Sequence, residues 1–161
     1  MSDESGLLTR FAGLPPQVFE AQLTDTGVTL QVDEVTLRVG SDDSGWRVDK
    51  SWRGVDRGFV FEATDDADVA RYVLALFGND IRRAHGLGRA VRKVVLSDDG
   101  GAQPDGGFSL TEMSGDGYRL SRDRDGAQWF FASDLEAARF STVADIPLAH
   151  IRDALGGTTR P

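Results

Sequence analysis

The sequence predicts an α+β fold in which an antiparallel sheet carries helices on one side. Short segments that alternate apolar and polar residues fill most of the stretch from Val28 to Glu62. An amphipathic helix pattern follows, and a similar strand-then-helix order returns near the C-terminus. Runs of strands followed by a helix favour an antiparallel sheet over alternating β-α units. One arrangement of this fold that the sequence allows consists of two related halves, each a β-meander followed by a helix.

The first segment, residues 1–26, is predicted to be an N-terminal helical segment. Its apolar residues fall at helical spacing until Pro15-Pro16 interrupts the pattern, and these prolines can begin a second short helix. The apolar positions are Leu7, Leu8, Phe11, Val18, Phe19 and Leu23.

Residues 27–96 are predicted to form the first half. Four strand candidates alternate apolar and polar residues, and turn residues separate them. A helix from about Asp66 to His85 follows, with Thr64 or Asp65 as its N-cap and Gly86 and Gly88 as its stop. Residues 91–96 read as a bridging strand. The strand candidates are Val28–Val32, Val35–Val39, Gly45–Val48 and Gly58–Glu62.

Residues 97–106 are predicted to be a Gly/Asp-rich linker, and residues 107–157 a second, shorter half packed on the first. Gln128–Ala132 reads as a strand, Ser133 and Glu136 form a capping box, and Pro147 begins a last helix. Both halves share the order aromatic, Ala, Thr or Ser, Asp, then Ala-Arg-Tyr or Ala-Arg-Phe. An internal repeat explains this similarity, and so does chance likeness between two amphipathic β-then-α segments.

Composition narrows the classes of partner. A net charge of −8 and a pI near 4.7 argue against nucleic acid and against an anionic membrane surface, whose phosphates attract basic proteins. The acidity suits a basic protein partner and also simply keeps a protein soluble. The chain has no cysteine, its first residues are acidic, and no apolar run reaches the roughly 20 residues of a membrane span. We therefore expect a cytoplasmic protein, and the Arg, Ala and Gly bias suggests a GC-rich bacterial genome such as an actinobacterial one.

The search for catalytic chemistry finds no assembled set. The two histidines, His85 and His150, lack the spacing of metal ligands, and no phosphate-binding glycine loop or nucleophile elbow occurs. The paired aspartates fall in turns and helix caps. The sequence therefore predicts no catalytic residue, no metal site and no cofactor. It favours a binding protein over an enzyme.

Five residues are candidates for contacting a partner: Asp42, Asp43, Trp52, Arg53 and Arg57. Trp52 lies between Ser51 and Arg53 in a polar stretch, and exposed aromatic residues beside arginine are typical of interface anchors. The alternative is that Trp52 covers the edge of the sheet. Asp42 and Asp43 would steer association with a basic surface.

The central motif resembles immunity protein family 61. The resemblance covers roughly residues 35–95 and rests on five motifs taken in order. It implies a cytosolic antitoxin like that of the tuberculosis necrotizing toxin, a secreted NAD glycohydrolase, acting by 1:1 binding that blocks the toxin's active site. The alternatives are a secretion-associated chaperone or adaptor for an exported toxin, and an enzyme of unknown type. The motifs are Gly45-Trp-Arg-Val48, Phe59-Val-Phe-Glu-Ala63, Arg71-Tyr-x4-Phe77-Gly78, Ile81-Arg82 and Gly86-Leu-x-Arg89.

Overall fold

An eight-stranded antiparallel sheet dominates the protein, for which a computed structural model describes residues 20–24, 27–32, 34–84, 95–96, 100–115 and 117–147. The strand order is β1-β2-β3-β4-β5-β10-β9-β8, and β6 and β7 form a separate two-stranded sheet. The strands are β1 (Glu20–Thr24), β2 (Gly27–Val32), β3 (Val35–Asp42), β4 (Gly45–Trp52), β5 (Val55–Ala63), β6 (Val95–Leu96), β7 (Ala102–Gln103), β8 (Phe108–Glu112), β9 (Tyr118–Arg122) and β10 (Gln128–Phe131). The helices are α1 (Asp66–Ala84) and α2 (Asp134–Ser141).

Both helices pack on one face of this sheet, around an aromatic cluster. Phe61 stacks on Tyr72 of α1 with 4.5 Å between ring centroids. The same ring lies 5.1 Å from Phe131 of β10 and 5.4 Å from Phe140 of α2. All four side chains are fully buried, and each contributes about 1.5–3 kcal/mol by leaving water. The predicted antiparallel sheet with helices on one side is thereby confirmed in its sheet-dominated form.

The helices begin where the sequence predicts. Asp65 caps α1, since its carboxylate accepts a hydrogen bond of 3.0 Å from the backbone N–H of Ala67. Ser133 caps α2, and its hydroxyl oxygen accepts a hydrogen bond from the backbone N–H of Glu136. Among the described residues, neither helix has the combination of length and apolar character needed to cross a bilayer.

The two segments that resemble each other meet in the centre of the sheet. β5 pairs with β10 through Glu62↔Phe130 and Phe61↔Phe131, and the backbone N–H of Ala132 donates to the carbonyl of Val60. The sheet therefore runs continuously from the region before the predicted linker into the region after it. An internal repeat and the division into halves stay predictions.

The helical prediction for residues 1–26 is wrong for Glu20–Thr24, which forms the edge strand β1. Five backbone pairs with β2 hold this segment, and long-range pairing outweighs the weak helical spacing that ended at Leu23. The rest of the N-terminal segment, the glycine stop at Gly86 and Gly88, and the last helix after Pro147 lie outside the described residues.

The central strands are longer than their apolar patterns. β4 continues to Trp52 and β5 already begins at Val55, so the link between them shrinks to Arg53-Gly54. β3 likewise extends through Asp42. Cross-strand pairing extends these strands into polar residues beyond the buried stretch, where the sequence shows no alternation of apolar and polar residues.

Candidate partner-binding site

The turn between β4 and β5 presents Trp52 at one end of the sheet. Arg53 and Gly54 have positive φ angles of 50° and 77°, as a two-residue hairpin of the mirror-image type requires. Arg53 is the non-glycine residue with positive φ in the described part of the chain. Its backbone N–H donates a hydrogen bond of 2.9 Å to the carbonyl of Glu34, in the turn between β2 and β3. The tight turn and this bond hold in place the backbone next to Trp52.

Two guanidinium groups lie over the indole ring of Trp52. The central guanidinium carbons of Arg53 and Arg57 are 5.0 Å and 5.7 Å from the ring centroid. Contacts of this kind contribute about 0.5–1 kcal/mol each at exposed sites. The Nε of Arg53 also bonds to the carboxylate of Glu34 at 2.7 Å. The ring is thus held in place although 41% of the residue's surface stays exposed.

Val55 extends the apolar surface beside this ring. It pairs with Trp52 across the hairpin and is 54% exposed. We name the group of Trp52, Arg53, Val55 and Arg57 the Trp52 tip. An exposed aromatic and a branched aliphatic side chain, bordered by two cations, form a surface that a protein partner can desolvate. Sequence reasoning missed Val55 and Glu34, because their proximity to Trp52 follows from hairpin register and not from an isolated motif.

Asp42 and Asp43 lie at the other end of β4. Asp42 pairs with Gly45 and Trp52 pairs with Val35, so β4 separates the two groups by about 23 Å at ~3.3 Å per residue. The Asp42 carboxylate accepts hydrogen bonds from the Ser44 hydroxyl and from the Ser44 backbone N–H, the latter at 2.8 Å. These bonds lower the pKa of Asp42 below its ordinary value, the hydroxyl contributing most. The five predicted residues therefore form two groups: Trp52, Arg53 and Arg57 at one end, and Asp42 and Asp43 at the other.

Other polar groups of the described chain serve the packing of the fold. Tyr72 donates a hydrogen bond of 2.8 Å to Glu136, which joins α1 to α2, and burial raises the pKa of both groups. Asp68 accepts from the Trp129 indole and from Arg71, whose Nε reaches the carbonyl of Ile146. Within the described ranges, no group of three or more His, Cys, Asp or Glu side chains is placed to hold a metal ion. His85 and His150 lie outside those ranges.

Comparison with known proteins gives a fold neighbour and a family. No curated protein matches the chain. The solved structure of Rv3902c from M. tuberculosis superposes with a TM-score of 0.68 over 99% of this chain and 92% of that one, at 16% sequence identity, a likeness that shows the shared fold. The model of the family described as Immunity protein 61 matches residues 18–156. The chain therefore belongs to the immunity protein 61 family, a membership that implies an antitoxin role and binding to a toxin partner.

Proposed function

We propose that this chain is an antitoxin that binds a secreted NAD glycohydrolase toxin in a 1:1 complex and blocks its active site. Family membership supports the antitoxin role, and the resemblance of the central motif to the family of the tuberculosis necrotizing toxin's antitoxin supports the kind of toxin. The observation that carries the proposed mode of binding is the Trp52 tip, an exposed aromatic surface fixed by the fold.

The Trp52 tip has the properties of an interface anchor. Binding hot spots are enriched in tryptophan and arginine because these side chains desolvate a large area while retaining specific polar contacts. Ordering a side chain on binding costs about 0.5–1.5 kcal/mol, and here two guanidinium contacts and a tight turn have already restricted the ring. A preorganised tip of this kind fits an inhibitor that must hold a toxin tightly.

Asp42 and Asp43 have a different role in this proposal. Both are exposed, and the net charge of −8 gives the chain a field that attracts a basic surface. Exposed charges accelerate diffusional encounter more than they lengthen the life of a complex. The aspartates therefore steer the toxin, and the Trp52 tip retains it.

The proposal predicts that a gene beside that of this chain encodes a secreted toxin. The direct experiment titrates the toxin domain of that gene with the purified chain and follows NAD hydrolysis. The proposal predicts that activity falls linearly and ends in a sharp break near one equivalent. A Leu23→Ala variant is the matched control, because Leu23 is 52% exposed but lies on the outer edge strand β1. It should inhibit like the unaltered chain, whereas Trp52→Ala should inhibit more weakly.

Other results of the same titration would contradict the proposal. A complex in which the toxin keeps its full activity would support a secretion-associated chaperone or adaptor. Turnover of a substrate by the chain alone would support an enzyme. Absence of any complex with the neighbouring toxin would remove the antitoxin proposal altogether.

A further inference from the structure

A bulge in β5 brings Arg57 to the ring of Trp52. The register of the β4–β5 hairpin shifts after Lys50, which pairs with Gly58, so Arg57 is an extra residue without a backbone partner on β4. Gly58, the next residue, has a positive φ of 75°. Bulges of this kind re-aim a side chain, and the guanidinium carbon of Arg57 lies 5.7 Å from the centroid of the indole ring.

Of the exposed arginines at this end of the sheet, Arg57 is the one that lacks a carboxylate partner among the described residues. The Nε of Arg53 bonds to the carboxylate of Glu34 at 2.7 Å. Arg38, on β3, lies 3.7 Å from the carboxylate of Asp56. The contact of Arg57 within the described ranges is with an aromatic ring. A carboxylate from another molecule can therefore pair with Arg57 without breaking an ion pair of the fold.

The hairpin that carries Arg57 is basic although the chain is acidic. Residues 50–58 include three basic side chains and one acidic side chain, a net charge of +2, whereas the whole chain carries −8. Lys50 is half-buried, so Arg53 and Arg57 present this positive charge to solvent. A positive surface on an acidic protein is suited to acidic groups of a partner, which the rest of the chain repels.

The opposite end of the sheet has the reverse charge. Aspartates outnumber arginines there, in the β3–β4 turn, at the start of α1 and in the β9–β10 turn. These aspartates are Asp42, Asp43, Asp65, Asp66, Asp123 and Asp125. The positive charge of the Trp52 tip is therefore a local property of one end of the sheet.

Contact with an aromatic ring and pairing with a carboxylate use different parts of a guanidinium group. The flat face stacks on aromatic rings, while the N–H groups point outward in the plane. A carboxylate binds in that plane through two N–H···O bonds, so pairing with Arg57 is compatible with its contact to Trp52. Val55, which is 54% exposed, adds apolar surface beside this charge. The Trp52 tip thus matches a surface on which a carboxylate borders an apolar patch.

We propose that the Trp52 tip binds an acidic, partly apolar surface of the toxin, and that a toxin carboxylate pairs with Arg57 beside the Trp52 ring. This inference rests on the proposed function and names the chemistry of the toxin surface that the tip contacts. The toxin would then carry acidic groups at the Trp52 tip and basic groups about 23 Å away, near Asp42. Opposite charges at the two ends favour one orientation of the complex.

The test compares arginine variants of the full chain, with the toxin domain that the neighbouring gene is predicted to encode as the partner. Arg57→Gln and Arg38→Gln each remove one positive charge from the same end of the sheet. Arg38 lies on the opposite face from the helices, because its neighbours Leu37 and Val39 are buried in the core. It is therefore the matched control, which changes the charge but not the proposed contact.

Isothermal titration calorimetry should show that Arg57→Gln weakens toxin binding about fivefold and Arg57→Glu at least about thirtyfold, because a like charge then faces the toxin carboxylate. Arg38→Gln should change the dissociation constant less than about twofold. The loss in Arg57→Gln should shrink at high salt, which screens an exposed ion pair. Circular dichroism of each variant establishes that the fold is kept.

The outcomes separate the two proposals. If Arg57→Glu binds the toxin as tightly as the unaltered chain, the acidic toxin surface is overturned, while inhibition by the unaltered chain leaves the antitoxin function standing. Equal losses in Arg57→Gln and Arg38→Gln, or a loss that high salt leaves unchanged, would likewise overturn the contact.

Two further results bear on the occupant. If analytical ultracentrifugation shows that the chain alone forms oligomers and that Arg57→Glu dissociates them, the acidic end of a second copy occupies the tip, and the toxin carboxylate is overturned. If the unaltered chain neither binds nor inhibits the toxin, both proposals fail together.

Discussion

The two ends of β4 carry opposite kinds of surface. At the Trp52 end, an exposed ring lies beneath two guanidinium groups, and the turn is supported by Glu34. At the Asp42 end, carboxylates lie in a solvated turn and bond to the adjacent Ser44. Burial of the first surface by a partner stabilises the complex, whereas the charges of the second attract the partner through solvent before contact is made. One strand thus separates residues suited to holding a partner from residues suited to attracting it.

The largest effect should come from the glycine at the Asp42 end. Gly45 has a φ of 131°, and an added Cβ would lie 2.4 Å from the carbonyl oxygen of Ala63. Gly45→Ala should therefore lower the free energy of unfolding by about 3 kcal/mol or more, since backbone must move. Chemical denaturation measures this loss.

Gly54→Ala, at the Trp52 end, is the matched comparison. Gly54 also has positive φ, but nothing lies within 4 Å of its added Cβ. Its cost should be that of the backbone conformation alone, about 1 kcal/mol. Equal losses in the two variants would mean that the clash at Gly45 is relieved and that the two turns do not differ as described.

The next effect concerns affinity. Trp52→Ala removes the exposed ring and leaves two guanidinium groups without their contact surface. If the Trp52 tip is a hot spot, the loss should reach about 2 kcal/mol, a factor of about 30 in Kd. Surface plasmon resonance should place the change mainly in the dissociation rate. A loss below threefold in a variant that keeps its fold would show that the main binding anchor does not lie at this end of β4.

The fold was accessible from the sequence because its strongest signals are local. The cap at Asp65, the cap at Ser133 and the aromatic pattern around Phe61 each specify an element from a few neighbouring residues. β1 could not be predicted from local sequence, because the exposed segment Glu20–Thr24 becomes a strand through its pairing with β2.

The candidate site was predictable one residue at a time but not as an arrangement. Trp52 stands out as an aromatic residue in a polar stretch, and its partial exposure agrees with that reading. The separation of Asp42 from Trp52 depends on the lengths of β3 and β4, which extend through polar residues that carry no alternation.

A smaller effect tests how far the Trp52 tip is preorganised. Glu34→Gln removes the ion pair with Arg53 but keeps the backbone hydrogen bond from Arg53 to the carbonyl of residue 34. Exposed ion pairs contribute about 0–1 kcal/mol, so toxin affinity should fall threefold at most. Isothermal titration calorimetry at two salt concentrations would measure it. A loss as large as that of Trp52→Ala would show that the ion pair, and not the ring, holds the partner.

The smallest effect belongs to the acidic turn and is a change in association rate. In the Asp42→Asn, Asp43→Asn double variant, the association rate with a basic toxin should fall a few-fold at low salt, because screening removes such steering beyond a Debye length of about 10 Å at 0.1 M. Stopped-flow association at low and high salt measures this, and the difference from the unaltered chain should vanish at high salt. The pKa of Asp42 is lowered by its bonds to Ser44, so its charge is retained as pH falls through the ordinary aspartate range and is lost below it. The single Asp42→Asn variant should therefore still associate more slowly than the unaltered chain at pH 3.8, where an ordinary aspartate is half protonated. A change in dissociation rate instead would place Asp42 inside the interface and remove the distinction between the two ends of β4.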